Sequence, residues 1–502
     1  MSSKEKKIAA AAEEAKKNKK FYTKCIIFIV CLAILVAAAA VINSNLFNPV
    51  IKSTALEIGG TEYSPAEFNY FYRSAISATY EELYSYYGDL TAYLLDTATP
   101  LSEQVSMYGD GEQTWADYFY NQTILTLTSL TVLYDRAVEE GYTLSAEDKE
   151  AIEAEIAAYE QTALSNNYES LKQFLALNFG DGFSVELLRD IAERQYLANA
   201  YAADLNDSFT FTAEEKDTHY AENKDDYDFY TYHVFMVGST NANFSELETD
   251  EEKLAAAHDA AVEIANAASG AQFAKNVQNF VSEDSKAAYE DETVTKYLTQ
   301  GLSLSETYKE WIIDASRVEG DTTVIDTESG SYAILYVGRD DNHYPLVNTR
   351  HILVSAVADE NGVYTEEALQ TAKAEAERIH ELWLANPTAE YFAELAGEYS
   401  EDAGSNANGG LYEQVYKNYM VTEYNDFLFN QGNQPGDSAV IYGTNGNYEG
   451  YHVVYFDSVG EVFSDVLADG ILRQDAYNEV MSGYAENYEV AVGEGMEHAS
   501  LD

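Results

Sequence analysis

The side chains best suited to chemistry lie in one stretch of the sequence, residues 345–457. His351 lies in an extended apolar run near its start, and His452 lies in a β-rich run near its end. Between them, a polar, glycine-rich loop over residues 399–411 carries Asp402. Imidazole and carboxylate groups exchange protons and hydrogen-bond substrates. No Ser-His-Asp order, phosphate-binding loop or cluster of metal ligands competes with this set.

The elements that must position these residues follow a regular order. The sequence predicts, in turn, a strand at Thr349–Val354, helices from Thr365 and near Thr388, the glycine-rich loop, a helix at Met420–Phe429, and strands at Ser438–Ile441 and Gly450–Phe456. The first helix has apolar residues every three or four positions up to Trp383, and Thr365 is a suitable N-cap. Ser400 and Ser405 are expected to shape the loop rather than to do chemistry.

This order of elements resembles the parvulin family of peptidyl-prolyl isomerases, and within it the PrsA-like extracytoplasmic foldases of Gram-positive bacteria. The resemblance covers residues 345–457 and rests on the strand with His351, the Ser-Glu-Asp-x-Gly-Ser-x-x-x-Gly-Gly loop from Ser400 to Gly410, and the Gly-Tyr-His run at Gly450. It implies an α+β domain that catalyses rotation about X–Pro bonds without a cofactor or a metal ion.

The resemblance also implies the residues of the site, which form a polar floor and an apolar slot for the proline ring. They are His351, Asp402 and His452 for the floor, and Leu411, Met420 and Tyr424 for the slot. The two histidines are expected to hydrogen-bond each other, and neither is expected to act as a nucleophile. Tyr424 stands where the family usually has phenylalanine, and Glu449 stands where some relatives carry serine or threonine.

Residues 229–342 look like a degenerate copy of the same unit. Thr231–Val237 parallels the first strand and puts His233 in the place of the first histidine. Ser331–Tyr336 parallels the last strand and puts Ala333 in the place of the second histidine. The Gly-Gly pair is missing, so we expect a parvulin-like fold without catalysis in this copy.

Residues 43–228 have mainly helical patterns. Ala55–Tyr63 predicts a small strand-turn entry into a helix capped by Ser64, and Ser145 and Thr212 each begin a capping box. The region resembles the N-terminal chaperone domain of PrsA-like and SurA-like foldases, and an ordinary helical domain fits the pattern equally well.

An apolar run at the N-terminus predicts a membrane helix. Residues 25–42 carry no charge, and the leader over residues 1–24 has eight lysines against three glutamates. The run reaches the length needed to span a bilayer, and the basic leader predicts an internal N-terminus. A cleaved signal peptide is the alternative, because Ala38–Ala40 offers small residues to a peptidase. The two cysteines, Cys25 and Cys31, both lie in this run, so the rest of the chain can form no disulfide.

The charge of the chain is extreme, with 86 acidic and 29 basic residues and a net charge of −57. A surface this negative repels nucleic acid and anionic lipid, which argues against both as partners. The loop after the first strand of the second copy contains Asp359 and Glu360 rather than a basic cluster. We therefore expect no preference for phosphorylated Ser/Thr-Pro substrates.

Together these observations predict an α+β protein with an N-terminal membrane helix, a helical chaperone-like domain, two parvulin-like domains of which the first is degenerate, and a C-terminal helical segment with an acidic tail over residues 458–502. The expected function is a single-pass, extracytoplasmic isomerase and folding helper whose partners are unfolded or newly translocated polypeptides with X–Pro bonds. The rival hypotheses are a holdase that uses both parvulin-like domains only as scaffolds, and a structural surface protein.

Overall fold

The computed structural model describes residues 53–108, 111–360, 362–430, 432–444 and 448–501. The predicted leader over residues 1–24 and the predicted membrane helix over residues 25–42 lie outside these ranges. Within the described ranges, no helix is long and apolar enough to cross a membrane. The chain divides into two compact units, one made of Met1–Thr210 with Arg473–Asp502 and one made of Phe211–Leu472.

The first unit is mainly helical. Its helices are α1 Pro65–Tyr87, α2 Thr91–Leu94, α3 Trp115–Glu139, α4 Ala146–Ser165, α5 Leu171–Phe179 and α6 Val185–Ser208. The predicted strand-turn entry is confirmed as the hairpin of β1 (Leu56–Ile58) and β2 (Thr61–Tyr63), and the C-terminal strand Val490–Val492 pairs with β1. Ser64 caps α1, and the predicted capping box that begins at Ser145 is present at the start of α4.

The second unit begins with α7 (Ala213–Tyr227), which Thr212 caps as predicted. Two segments of identical element order follow. The first segment contains β3 Phe229–Gly238, α8 Asp250–Ala265, α9 Gly270–Val277, β4 Lys296–Gln300, α10 Lys309–Ile313, β5 Thr322–Thr327 and β6 Gly330–Asp340. The second segment contains β7 Pro345–Ser355, α11 Glu366–Leu384, α12 Ala389–Tyr399, β8 Leu411–Val415, α13 Thr422–Asn425, β9 Ser438–Thr444 and β10 Glu449–Val462, and α14 Phe463–Ala485 follows it.

The two segments have antiparallel sheets of the same strand order, β4-β3-β6-β5 in the first and β8-β7-β10-β9 in the second. Each sheet packs two helices on one face, which confirms the predicted α+β class. The domain boundaries, residues 229–342 and 345–457, stay predictions.

In the second segment, the sheet separates a helix layer from the candidate site. The residues that α11 and α12 bury are those of the predicted apolar spacing, namely Ala372, Ala376, Ile379, Trp383, Phe392, Leu395 and Ala396. They pack on Ile352, Val354 and Val453 of the sheet. Because side chains alternate between the faces of a strand, the residues between these point to the other face, toward α13.

The first segment repeats this geometry with a register that differs by one residue from the predicted equivalence. Gly330 and Gly450 occupy the same place, because a Cβ atom added to either would meet a carbonyl oxygen of the neighbouring strand, that of Val237 or that of Val354. Val237 therefore corresponds to Val354, and each faces its helix layer.

The predicted equivalence of His233 with His351 is wrong for this reason. Counting back from the two valines, His351 corresponds to Val234. A shift of one residue moves a strand side chain to the opposite face. His233 faces the helices, where its Nδ1 lies 2.9 Å from Thr295 Oγ1 and its ring packs against Phe273. It is a buried structural histidine.

The second histidine also has a different counterpart. Counting forward from Gly450 and Gly330, His452 corresponds to Tyr332 and not to Ala333. Ala333 is fully buried among the helix-facing residues, whereas Tyr332 packs on the other face against the ring of Tyr308. Neither histidine of the second segment thus has a histidine counterpart in the first.

Candidate active site

The two predicted catalytic histidines lie on the neighbouring strands β7 and β10. His351 is opposite Val454, and His452 is opposite Leu353, so the histidines are diagonal neighbours on one face of the sheet. Their Nδ1 atoms are 2.9 Å apart. The rings are nearly parallel, with an interplanar angle of 14° and a centroid separation of 5.1 Å. The structure therefore brings the two residues together as a hydrogen-bonded pair.

A chain of hydrogen bonds runs through four side chains. His351 Nε2 lies 2.8 Å from Asp402 Oδ2, and His452 Nε2 lies 2.8 Å from the Tyr448 hydroxyl. Because an ionised carboxylate only accepts, His351 Nε2 carries a hydrogen and donates a hydrogen bond to Asp402. His351 Nδ1 then accepts from His452 Nδ1, and His452 Nε2 accepts from Tyr448. With one proton on each ring, these partners define a single tautomer for His351 and for His452.

The electrostatics of the site agree with this assignment. The hydrogen bond from His351 lowers the pKa of Asp402 far below its ordinary value against the opposing effect of burial, and the hydroxyl of Ser405 and the amide of Gly404 lower it further. Burial, and then the proximity of His351, lower the pKa of His452 to about 3. At neutral pH, Asp402 is therefore ionised and His452 is uncharged.

Local hydrogen bonds fix the loop that carries Asp402. Ser405 Oγ donates to Asp402 Oδ2, and the Gly404 amide donates to Oδ1 at 3.1 Å. Ser400 Oγ accepts from the amides of Asp402 at 3.3 Å and Leu353 at 3.2 Å. The two serines thus shape the loop, as predicted, and they aim the Asp402 carboxylate at the histidine pair.

Two glycines bring the end of the loop against β7. Gly410 has a φ of +70°, its amide donates to the Ser405 carbonyl at 2.8 Å, and its carbonyl accepts from the His351 amide at 2.9 Å. A Cβ atom at Gly410 would meet the His351 carbonyl oxygen, and one at Gly409 would meet Ala393. Only glycine tolerates both the backbone angle and the contact. The Gly-Gly pair is therefore a condition for placing Asp402 beside the histidines.

An apolar cluster adjoins the histidine pair. Tyr424 is fully buried, with its ring centroid 5.9 Å from that of His351 and 5.8 Å from that of His452. Its hydroxyl lies 2.8 Å from Thr349 Oγ1. Met420 is half-buried and packs against the same cluster. The other buried members of the cluster are Val347, Val415, Phe427, Leu428, Val454 and Phe456. Two of the three predicted slot residues thus lie together next to the polar groups.

Leu411 is the predicted site residue that the structure places elsewhere. It pairs with Arg350 across β8 and β7, whereas the next residue, Tyr412, pairs with Thr349. Because strand residues alternate, Leu411 faces the helix side of the sheet and Tyr412 faces the site. The Tyr412 hydroxyl donates to Asp402 Oδ2 at 3.0 Å. Tyr412 therefore occupies the position in the site that was predicted for Leu411.

Three hydroxyl-bearing residues of the site were not predicted from the sequence. They are Thr349, Tyr412 and Tyr448. The two-residue period of β7 was a usable signal for Thr349, since it puts this residue on the same face as His351. Neither tyrosine had a comparable signal, because the chain contains 42 tyrosines and no pattern distinguishes these two.

The arrangement can bind an apolar ring beside groups that hydrogen-bond an amide. Within the described ranges, no group of three or more His, Cys, Asp or Glu side chains could hold a metal ion. The polar groups are a carboxylate, two imidazoles and two phenols, all linked to one another. Such a set orients its members and offers hydrogen bonds at fixed positions.

Residues 334–457 match the family model described as a PPIC-type PPIase domain. They form a parvulin-type peptidyl-prolyl isomerase domain. The match begins inside β6, before the start predicted at Pro345, and it ends at Asp457, the predicted end. The site residues named above from the second segment all lie within it.

Solved structures with similarity to the chain include foldases and chaperones. PrsA from Bacillus anthracis is 17% identical, with a TM-score of 0.18, over 32% of this chain and 60% of that chain. PrsA from Streptococcus pneumoniae is 15% identical, with a TM-score of 0.21, over 47% of this chain and 78% of that one. A SurA-like chaperone of Campylobacter jejuni is 15% identical, with a TM-score of 0.17, over 72% of this chain and 91% of that chain. No curated protein sequence matches the chain.

Proposed function

We propose that the chain is a peptidyl-prolyl isomerase and folding helper for secreted proteins, anchored in the cytoplasmic membrane with its folded units outside. The observation that supports catalysis most directly is the pair of His351 and His452, bonded to Asp402 and adjoining the apolar cluster of Met420 and Tyr424.

The chemistry that such a site must perform is the rotation of an X–Pro amide. The planar amide is stabilised by resonance, and rotation has a barrier of about 18–20 kcal/mol. No bond breaks, so a catalyst need only bind the twisted amide more tightly than either planar form. A twisted amide has less charge separation than a planar one, and an apolar wall therefore favours it.

The residues divide this task between them. Met420 and Tyr424 hold the proline ring in the apolar cluster, which leaves the carbonyl before the proline free to turn. The hydroxyl groups of Tyr412 and Tyr448 and the histidine pair form the polar floor beside this path, and their own hydrogen bonds hold them in place. Asp402 fixes the tautomer of the pair, and with it the direction of every donor.

Proline isomerisation by the full-length chain in a mild detergent tests this function. The substrate is an unphosphorylated X–Pro peptide, with Asp402→Ala and Met420→Ala as variants and circular dichroism as the check on folding. We expect the wild-type chain to accelerate isomerisation and both variants to reduce the acceleration. A folded wild-type chain without acceleration would contradict the proposal.

Selectivity against phosphorylated substrates follows from the loop after β7. Asp359 and Glu360 make this loop acidic, and a phosphate group on the residue before proline would meet like charge. We expect a phosphoserine-proline peptide to react more slowly than its unmodified twin. The ratio of the two kcat/KM values measures the effect, and a ratio in favour of the phosphopeptide would refute it.

The proposed location rests on the lysine-rich leader and the uncharged run over residues 25–42. It predicts that the chain sediments with membranes and that protease added to intact protoplasts digests its folded units. Protection from added protease, with digestion only after lysis, would place these units inside the cell.

A holdase without catalysis is the second candidate function. The observation that favours it is the first segment, which has Val234 and Tyr332 at the positions of the two histidines and still keeps the fold. A chain that suppresses aggregation of an unfolded client equally well with and without Asp402→Ala, and that shows no isomerisation, would establish this candidate.

A further inference from the structure

The segment Tyr416–Met420 joins β8 to α13 and carries Met420 to the apolar cluster. One of its polar contacts reaches outside the sheet of the second segment. Lys417 Nζ donates to Asp340 Oδ2 at 2.7 Å, and Asp340 is the last residue of β6 in the first segment. Each side chain of this ion pair is 32% exposed. The first segment therefore touches the piece of chain that leads into the proline slot.

A second residue outside the site strengthens the hold on Lys417. The Lys417 ammonium lies 3.8 Å from the ring centroid of Tyr344, in the connection between the two segments. The Lys417 amide also donates to the Tyr344 hydroxyl at 3.1 Å. Cation–π contact, ion pair and backbone hydrogen bond thus converge on one lysine, so its position is defined from three directions.

Aromatic stacking fixes the neighbouring residue in the same way. Tyr416 stacks on Phe463, with a centroid separation of 5.2 Å and an interplanar angle of 10°. Phe229, the first residue of β3, contacts both rings, at 6.3 Å and 6.2 Å. Both ends of the first segment, Phe229 and Asp340, therefore contact the segment Tyr416–Met420.

A constrained backbone transmits these contacts to the slot. Asn418 has a φ of +65°, a left-handed conformation that persists only where neighbours hold it. Its amide donates to Asn425 Oδ1 at 2.6 Å, and Asn425 is buried directly after Tyr424. A shift of Lys417 would therefore move Met420 and Tyr424 together.

We propose that Lys417 is a positioning residue of the isomerase, and that the first segment, through Asp340, sets the geometry of the proline slot. The inference rests on the proposed function, since a slot without catalysis has no rate to tune. Lys417 lies outside the hydrogen-bonded chain of the histidines. Its loss should therefore weaken substrate binding and leave the rotation step unchanged, which raises KM and preserves kcat.

The experiment measures kcat and KM of the full-length chain for an unphosphorylated X–Pro peptide. The variants are Lys417→Met, Asp340→Asn and the double variant. Lys373→Met is the matched control, because Lys373 forms a long, exposed pair with Glu377 on α11. We expect KM to rise about five-fold in each single variant and no further in the double variant, since partners in one interaction are not additive. The control should match the wild type.

The outcomes separate this inference from the proposed function. A wild-type chain without isomerase activity would overturn both. An active wild type whose KM does not change in Lys417→Met or Asp340→Asn would overturn only the positioning role. A fall in both kcat and melting temperature, of the same size in Lys417→Met as in Asp340→Asn, would also overturn it, because it would indicate a merely structural ion pair. Partial recovery of the wild-type KM by the exchange of Lys417→Asp with Asp340→Lys would support it directly, because the exchange restores the ion pair without the contact to Tyr344.

Discussion

The two α+β segments of the second unit share one sheet order and differ on one face. Both helix layers place small residues against the sheet, such as Ala257 and Ala261 in the first segment and Ala372 and Ala376 in the second. On the other face, the second segment has two histidines and an aspartate, and the first has an aromatic cluster. The two segments thus share the packing between helices and sheet, and they differ in the side chains of the opposite face.

The aromatic cluster of the first segment replaces the site completely. The Tyr232 hydroxyl lies 3.4 Å from that of Tyr308 and 3.2 Å from Thr299 Oγ1. The rings of Tyr232 and Tyr297 stack at 5.9 Å, and Tyr332 packs against Tyr308 at 5.7 Å. Phenols that bond one another need no buried carboxylate, and the Gly-Gly pair that positions Asp402 has accordingly no counterpart in this segment.

The largest predicted effect comes from blocking the close approach of Gly410 to β7. Gly410→Val adds a branched side chain at a φ of +70°, against the His351 carbonyl. Backbone strain and overpacking should together destabilise the segment by about 4 kcal/mol. Urea unfolding followed by Trp383 fluorescence, with Trp115 and Trp311 changed to phenylalanine, measures this.

Gly436→Ala is the control for that substitution. Gly436 also has a positive φ, of +101°, but an added Cβ would meet nothing within 4 Å. Gly436→Ala should lower the free energy of unfolding by about 1 kcal/mol, through the backbone conformation alone. Equal costs at the two glycines would show that the approach of the loop to β7 is unimportant.

The next prediction concerns a variant in which two site residues of the second segment are replaced by their counterparts in the first. The double variant His351→Val, His452→Tyr carries the residues found at Val234 and Tyr332. It should fold and lose about 100-fold in kcat/KM, which is typical for the loss of preorganised polar groups at a reaction site. Isomerisation of an X–Pro peptide measures this. A folded double variant with near wild-type activity would mean that the difference between the two faces is irrelevant to catalysis.

A smaller effect concerns pH. The pKa of His452 is about 3 in the folded chain against an ordinary value of 6.5. As the pH falls below 6.5, the unfolded chain binds a proton that the folded chain refuses, so the stability contributed by uncharged His452 is lost on acidification. Between pH 6.5 and pH 5, the free energy of unfolding should fall by about 1.5 kcal/mol more in the wild type than in His452→Tyr.

Urea unfolding at the two pH values, again followed by Trp383 fluorescence, checks this difference. His343→Asn is the control, because His343 is exposed in the connection between the segments. Comparison of the two variants separates the effect of buried His452 from the effect of losing any histidine. Identical pH dependence in the wild type and in His452→Tyr would argue that His452 is not held uncharged.

The smallest predicted effect distinguishes the two faces of β8. Tyr412→Phe removes the hydroxyl that donates to Asp402 and should lower kcat/KM about ten-fold, near the lower end of the value of one hydrogen bond to a charged group. Leu411→Ala, on the helix side, should leave kcat/KM unchanged. The opposite ranking in the peptide assay would restore Leu411 to the slot.

The sequence predicts those parts of the structure that local patterns determine. The spacing of Ala372, Ala376 and Ile379 specifies the buried face of α11. The capping boxes at Ser145 and Thr212 mark the first residues of their helices. The two histidines of the site were recognisable because histidine is rare in this chain, which has eight. The structure brings His351, Asp402 and His452 together, and their catalytic roles stay predictions.

The parts that failed depend on register and on distant partners. In a strand, an alignment error of one residue exchanges the two faces, and this accounts for both His233 and Leu411. The bulge between Thr231 and Tyr232 makes such an error hard to detect, because it interrupts the alternation. The contact of Lys417 with Asp340 has no local signal at all, since it joins two segments through their tertiary packing.

The pairing of the C-terminal strand with β1 has a consequence for the order of folding. Leu56 pairs with Val492, so the sheet of the first unit joins the two ends of the described chain. The second unit is contiguous and can fold as soon as its own residues are available, whereas the first unit cannot complete its sheet until Val490–Val492 has been synthesised. Deletion of Val490–Val492 should therefore destabilise the first unit and leave the isomerase domain folded.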